Sequence, residues 1–455
     1  MRSTDKSSKP VKKRSVAALL AFILVFLALQ YVLAQVLTKR NAPTDLARLD
    51  YDAADDVDVY FVGNSYCGRS YDPRVLDEEL GKSIFAMSVS AAQSSTFYAL
   101  VKDILTKQTP EMIVVCFDPL GSADDKVEAP TVAAWGAQLI SNPLVKAEFV
   151  VREWLLNGDL VDRVCPWRVM PCDSLGFYKD NIQILLGQTR KVYAAYKNFA
   201  RLDPSTGVTQ QYVSQGYTSA NGDVTWRTNN KSATKVSLKD GARLNTTYYQ
   251  RIFDLCSARG VRVAVVTTPA HTIKALGDAR VRKYNTEIGE FCAAQGVPYY
   301  DFTLAKPSLM ANVDEELYDF FHLKESGAVI YSQAVAKVLQ GLDAGTDMSG
   351  WFYDSYDAYA AEVTWVVNTW LWTQEKNGQL LYIADCNCGS EMTPMYKFVQ
   401  VEPDGTETLL ADWSEKRTLT LDPVQGARTV RVYARASWAE DDEAVFYDLT
   451  QDADN

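Results

Sequence analysis

Hydrophobic and polar positions divide the chain into four textures. The first is SVAALLAFILVFLALQYVLAQVL, Ser15 to Leu37, an uncharged apolar run of more than twenty residues. As a helix it is long enough to cross a bilayer. Residues 38–56 are polar and rich in Asp and Ala, which predicts a short tether. Then buried runs alternate with helical spacing. VDVYFVGNS is a strand ending at Asn64-Ser65, SIFAMSVSAAQSS a second apolar run, TFYALVKDILTKQ a helix, and EMIVVCFDPLGS a third strand stopping at Asp118-Pro119. Strands that alternate with helices predict a parallel α/β sheet. Residues 123–240 break the rhythm with CPWRVMPC and the turn-rich TSANGDVTWRTNNKSATK, which predicts an insertion that caps or flanks the site. The pattern resumes with TTYYQRIFDLCSARG, VRVAVVTTPAH, a helix closed by Gly296, VPYYDFT and ESGAVIYSQAVAKVLQGL. This assigns 57–345 to one α/β domain. Beyond it, short β-prone runs separated by NG, DG and DP turns predict an antiparallel β-sandwich-like domain over 350–455.

Charge sharpens these divisions. The 455-residue chain has net charge −11, which disfavours nucleic acid as a partner. Residues 351–455 hold 7 Lys/Arg against 19 Asp/Glu, so the acidity is concentrated in the last module. Residues 1–14 form a basic tail: Arg2, Lys6, Lys9, Lys12, Lys13 and Arg14 precede the apolar span against the single Asp5. The positive-inside rule then predicts a cell-membrane protein with a cytoplasmic N-terminus, a transmembrane anchor at 15–37 and an extracytoplasmic remainder. A cleaved signal peptide ending near Val32-Leu33-Ala34 is the competing reading. Eight scattered cysteines and two histidines lack zinc-site spacing, so no metal and no organic cofactor is expected. Cys165 and Cys172 could pair as a disulfide or remain thiols.

Candidate chemistry sits where strands end. Ser65 directly follows the first strand of the sheet, the place where parallel sheets put ligand sites. Near the far end of the domain, LYDFFHLKESG sets Asp319 three residues before His322 and just ahead of a helix. That spacing lets a carboxylate fix the tautomer of an imidazole whose other nitrogen faces a nucleophile. The competing reading is a capping Asp beside a satisfied histidine. His271 ends the strand VRVAVVTTPAH, as a substrate contact or a cap. Cys67 lies two residues past Ser65, as a thiol nucleophile or a small filler. Trp365, Trp370 and Trp372 are core positions of a β-sandwich or sugar-stacking platforms.

VGNSYCGRS, SVSAAQS and Asp319-x-x-His322 together resemble the SGNH (GDSL-like) hydrolase superfamily over about 55–345, apart from the insertion. The nearest flavour is the membrane-anchored branch around the D-alanine transfer protein of teichoic acids and the alginate O-acetylation proteins. The resemblance implies a flavodoxin-like three-layer parallel sheet and a Ser65–His322–Asp319 triad. It implies acyl-ester chemistry as an esterase or an O-acyltransferase. The substrates expected are a cell-envelope polysaccharide or a small acyl ester, with a multi-span membrane acyl-donor partner. Where the family places an oxyanion-hole glycine this chain has Ser90-Ala91-Ala92, leaving the Ala91 amide as donor. Where the family places Asn it has Asp118, an anion that opposes an oxyanion unless protonated or turned away. Asn64 is a further donor candidate. These departures motivate the alternative of a non-catalytic envelope binding or scaffold protein.

Overall fold

The computed structural model describes residues 11–121, 128–157, 161, 165–172, 174–197, 201–203, 208–222, 243–423 and 426–451. Most of the turn-rich stretch at 218–235 and the basic tail before Val11 lie outside the described residues.

Helix Val11–Leu37 contains the apolar run. Its 23 residues Ser15–Leu37 have a mean hydropathy of 2.7, long and apolar enough to span a membrane or to serve as a signal sequence. The segment expected to be a tether is instead a folded helix, Ala42–Ala53, begun by Asn41, whose side chain accepts from Thr44 N–H. Leu46, Ala47 and Tyr51 bury one face of it in the core. Its polar residues are also paired: Arg40 reaches both carboxylate oxygens of Asp45 at 2.7 Å, and Tyr193 Oη donates to the same carboxylate. An Asp-rich composition reads as solvated chain only until those partners are known.

Strands β1 (Val59–Gly63), β2 (Ile84–Ser88) and β3 (Met112–Phe117) come first. The insertion contributes a small sheet of β4 (Arg201–Asp203), β5 (Val208–Ser214) and β6 (Tyr217–Asn221). β7 (Arg262–Thr267) and β8 (Tyr299–Asp301) complete a five-stranded sheet in the order β2-β1-β3-β7-β8. Every pairing in it is parallel. This is the flavodoxin-like order, which switches direction between β1 and β3. Both sheet faces are covered. Tyr60, Val62, Ile113 and Val115 join one apolar cluster with helices Ser94–Lys107, Thr247–Ser257 and Ala279–Ala294. Val59, Phe61, Met112 and Val114 join the other with helix Glu325–Ala344. Strands buried on both faces are why these segments read as continuous apolar runs.

The insertion sheet lies along the edge of β2, where Ala86 N–H donates to Gln215 O at 2.9 Å. Gly216 has φ +85°, and a Cβ there would sit 1.8 Å from Ala86 O, so only glycine allows this approach.

After Val363 come β9 (Val366–Lys376), β10 (Gln379–Cys388), β11 (Pro394–Val401), β12 (Glu407–Ser414), β13 (Thr418–Leu421), β14 (Arg428–Ala436) and β15 (Val445–Gln451). They form two antiparallel sheets, β13-β10-β9 and β12-β11-β14-β15. Tyr382, Ala384, Phe398, Val430 and Val432 pack in one cluster from both. Trp370 packs against that cluster, whereas Trp365 is 41% exposed.

Residues 347–362, which the acidic texture partly assigned to the last module, pack on the α/β sheet. Lys306 N–H donates to Trp351 O and Tyr353 N–H to Leu304 O. Tyr356 Oη donates at 2.7 Å to Asp301, a carboxyl that burial pushes up to about 6. Ending the chain after Asp343 is therefore expected to lower stability by about 3 kcal/mol or more, through lost aromatic burial and loss of the Tyr356–Asp301 hydrogen bond. Ending it after Val363 is expected to leave the α/β core folded. Denaturant midpoints of the two truncated chains check this, and equal midpoints refute it.

Candidate active site

The site stands at the carboxyl ends of β1 and β3, at the sheet's switch point. β1 must turn sharply out of the sheet at Gly63, and the space is tight. A Cβ on Gly63 would lie 2.7 Å from the Cβ atoms of both Cys116 and Cys67. Asn64 follows and caps the short helix Ser65–Ser70, its Oδ1 accepting from Tyr66 N–H at 3.0 Å. The turn projects Ser65 from the first helical position, half-buried, while Cys67 points into the core with no exposure. Burial pushes the Cys67 thiol well up, helped by its neighbour Cys116. A thiol so held is poor in thiolate and suits a space-filling role.

The opposing wall is the loop before helix Glu325–Ala344. A bridge between Leu317 and Leu323 closes it, and Tyr318 N–H donates to His322 O at 3.0 Å. Inside the loop Asp319 uses both oxygens. Oδ1 accepts from the Phe321 and His322 amides at 2.9 and 2.8 Å. Oδ2 lies 2.6 Å from His322 Nδ1, and His322 Nε2 lies 2.8 Å from Ser65 Oγ. The capping and the orienting readings of Asp319 thus describe two oxygens of one carboxylate. Residues 257 positions apart meet in a single hydrogen-bonded line.

Electrostatics fit this line. Burial pulls the His322 imidazole below its ordinary value; Asp319 opposes the shift, Arg69 adds to it and Asp118 opposes it. Burial alone would raise the Asp319 carboxyl, yet the His322 imidazole and the two amides hold it below the usual range. The resting pair is therefore a neutral imidazole with an ionised carboxylate. Nδ1–H donates to Asp319, which leaves the Nε2 lone pair for the Ser65 hydroxyl proton.

Sequence reasoning missed the aromatic frame around His322. Tyr66 meets the imidazole edge-on at 4.7 Å between ring centres, and Tyr318 stacks on it at 5.4 Å and 10°. Arg69 lies over Tyr318, and its Nη2 donates to Gln210 of β5. Each is legible afterwards: Tyr66 adjoins Ser65, Tyr318 adjoins Asp319, and Arg69 is one helical turn beyond Ser65.

Of the remaining candidates, Asn64, Asp118 and His271 fall into structural positions. Asn64 Nδ2 donates at 2.8 Å to Asp118 Oδ2, and Asp118 Oδ1 accepts from Leu120 N–H at 2.8 Å. Asp118 is turned onto these donors, and its carboxyl is raised by burial while they restrain the rise. Asn64 and Asp118 thus form a latch between the ends of β1 and β3. Ala91 has φ +59°, a left-handed conformation in which glycine is easier. Its loop is tied to β1 by Val89 N–H donating to Gly63 O. His271 is a buried helix cap, with Nδ1 accepting from Ile273 N–H at 3.1 Å. Its own N–H donates to Phe320 O, so it anchors the loop that carries Asp319. No disulfide joins Cys165 to Cys172: Cys165 Sγ accepts from Gln30 and Cys172 Sγ from Asn181. Among the described residues no group of three or more His, Cys, Asp or Glu side chains could hold a metal ion.

No family model and no curated protein matches the chain. Among solved structures it is similar to a Streptococcus pneumonia protein provisionally described as a platelet activating factor. That match has 11% identity and a TM-score of 0.28, covering 70% of this chain and 98% of the other. It is also similar to a gut microbial diltiazem-metabolizing enzyme, at 9% identity and a TM-score of 0.27, covering 81% of this chain and 71% of the other. Likenesses this slight leave the chemistry to the geometry of Ser65, His322 and Asp319.

Proposed function

We propose that the protein is an SGNH-type serine esterase or O-acyltransferase that acts on acyl esters of cell-envelope glycans. It would be held at the outer face of the membrane by its N-terminal helix. The observation that carries this reading is the hydrogen-bonded line Asp319–His322–Ser65 at the switch point of a parallel sheet. Ser65 Oγ attacks the ester carbonyl as His322 Nε2 takes its proton, and Asp319 holds the imidazolium that forms. The alcohol leaves with that proton, giving an acyl-Ser65 ester. Water as the second nucleophile makes the protein an esterase; a sugar hydroxyl, with acyl groups from a multi-span membrane donor, makes it a transferase. The Ala91 amide is the donor proposed for the oxyanion.

A non-catalytic scaffold is the second reading. It is favoured by one observation, the Asn64 amide being taken up by Asp118 rather than presented to substrate. A fluorophosphonate, which reacts with activated serines, separates the two. Labelling is expected on the wild type and absent from Ser65→Ala. Its rate should rise with pH as His322 loses its proton, because only neutral imidazole accepts from serine. Since burial depresses that imidazole, the rise should centre below the ordinary histidine value of about 6.5. Equal labelling of Ser65→Ala, or a wild-type rate that does not rise with pH through the imidazole range, would refute the mechanism.

A further inference from the structure

The insertion places an apolar helical stripe beside the outer end of the N-terminal helix. Helix Leu175–Leu185 has Asn181 on its inner side, where Nδ2 donates to Val36 O and Thr38 O, both at 2.9 Å. Those carbonyls belong to the last residues of the apolar run and the residue after it. The chain just before this helix follows the same course. Cys172 N–H donates to Leu37 O, Thr38 bridges Pro171, and Gln30 reaches Cys165. Gln30 is about 10 Å back along the helix axis from Leu37. The insertion thus runs alongside the final turns of the apolar helix rather than above its tip.

On another side of the same helix, Leu175, Ile182 and Leu186 are 86%, 47% and 71% exposed. Their spacing of seven and then four residues aligns them in one stripe. Leu185, at 41%, flanks it. Water-facing helices put such a stripe inward, and this one faces out. Cations accompany it. Lys179 lies within the stripe and is exposed, Arg168 is exposed nearby, and Lys39 lies over the Phe177 ring at 5.1 Å. An exposed apolar stripe with basic residues at the level of a span's end is the composition of a helix lying in a bilayer interface. There apolar side chains enter the acyl boundary and lysine stems snorkel to the headgroups.

We propose that helix Leu175–Leu185 and Leu186 lie in the outer phospholipid leaflet. They would form a second membrane contact that fixes how the catalytic domain stands on the bilayer. This rests on the reading of Ser15–Leu37 as a retained span. The leaflet is favoured over a protein partner because the stripe is continuous with a helix whose own exposed apolar surface already requires lipid.

The test is photo-crosslinking of the full-length chain in cell membranes, with p-benzoylphenylalanine placed singly at Ile182, Leu186, Leu24 or Leu409. Leu24 reports the span, and Leu409, 58% exposed on the last module, reports a water-facing apolar position. All four are exposed, so the probe disturbs little packing. Phospholipid adducts at 182 and 186 as at 24, with none at 409, are the expected result. Protein adducts at 182 and 186, or no adduct there while 24 takes lipid, would overturn the proposal and leave the span standing. Absence of lipid adducts at 24 as well would overturn both.

Discussion

Ser65→Ala and His322→Ala are each expected to remove turnover of a small acetyl ester, by a factor on the order of 10⁴ to 10⁶, and the double variant to be hardly slower than either. The size follows from the arrangement. Ser65 Oγ and His322 Nε2 stand 2.8 Å apart, so neither has its function without the other. Without Ser65 there is no atom to acylate; without His322 the hydroxyl keeps its proton at neutral pH. Either loss forfeits the shared rate once, which is why the effects do not add. Cys67 is the nearest alternative nucleophile in sequence, but it is fully buried and its thiol is pushed well above the ordinary range. Ser65→Ala should therefore retain nothing from it. Initial rates on purified full-length variants of unchanged unfolding midpoint measure the loss. Wild-type turnover in Ser65→Ala would sink the mechanism, as would a double variant slower by the product of the two single losses.

What the sequence disclosed depended on whether the deciding interaction was local. The strands of the α/β sheet were legible because burial on both faces makes them apolar throughout, and the turn after β1 because Gly63-Asn64-Ser65 interrupts such a run. Asp319 and His322 were legible because three residues suffice to join them. Their meeting with Ser65 was not, since no local pattern records a contact across 257 residues; it had to be inferred from where parallel sheets place their sites. The helix Ala42–Ala53 was missed because its Asp residues look solvated until Arg40 and Tyr193 are seen to bind Asp45. The contacts of residues 347–362 were hidden likewise. Acidic composition continues across that stretch, while its aromatic side chains face the α/β core. Asp118 shows the limit most clearly, because a carboxylate beside a candidate oxyanion site is harmful or structural depending only on which way it turns.

That distinction sets the second large effect, a contrast between two carboxylates. Asp319→Asn is expected to slow turnover by about 10⁴, because an amide in place of Oδ2 can favour the imidazole tautomer that has no lone pair on Nε2. The loop itself should survive, since the retained Oδ1 still accepts from the Phe321 and His322 amides. Turnover should fall with little change in unfolding midpoint. Asp118→Asn should behave in the opposite way. Asp118 touches Asn64 and the amide of Leu120, so losing its charge removes a buried charge-assisted bond, worth about 1.5–3 kcal/mol, from the latch between β1 and β3. Asn64 cannot simply flip to restore it, because its Oδ1 already caps Tyr66 N–H. The expected signature is a lowered denaturant midpoint with a turnover loss far smaller than that of Asp319→Asn. Paired measurements of midpoint and initial rate on the two variants decide the assignment. If Asp118→Asn were the variant that lost turnover at unchanged stability, Asp118 would be the orienting carboxylate and Asp319 merely the cap of its loop.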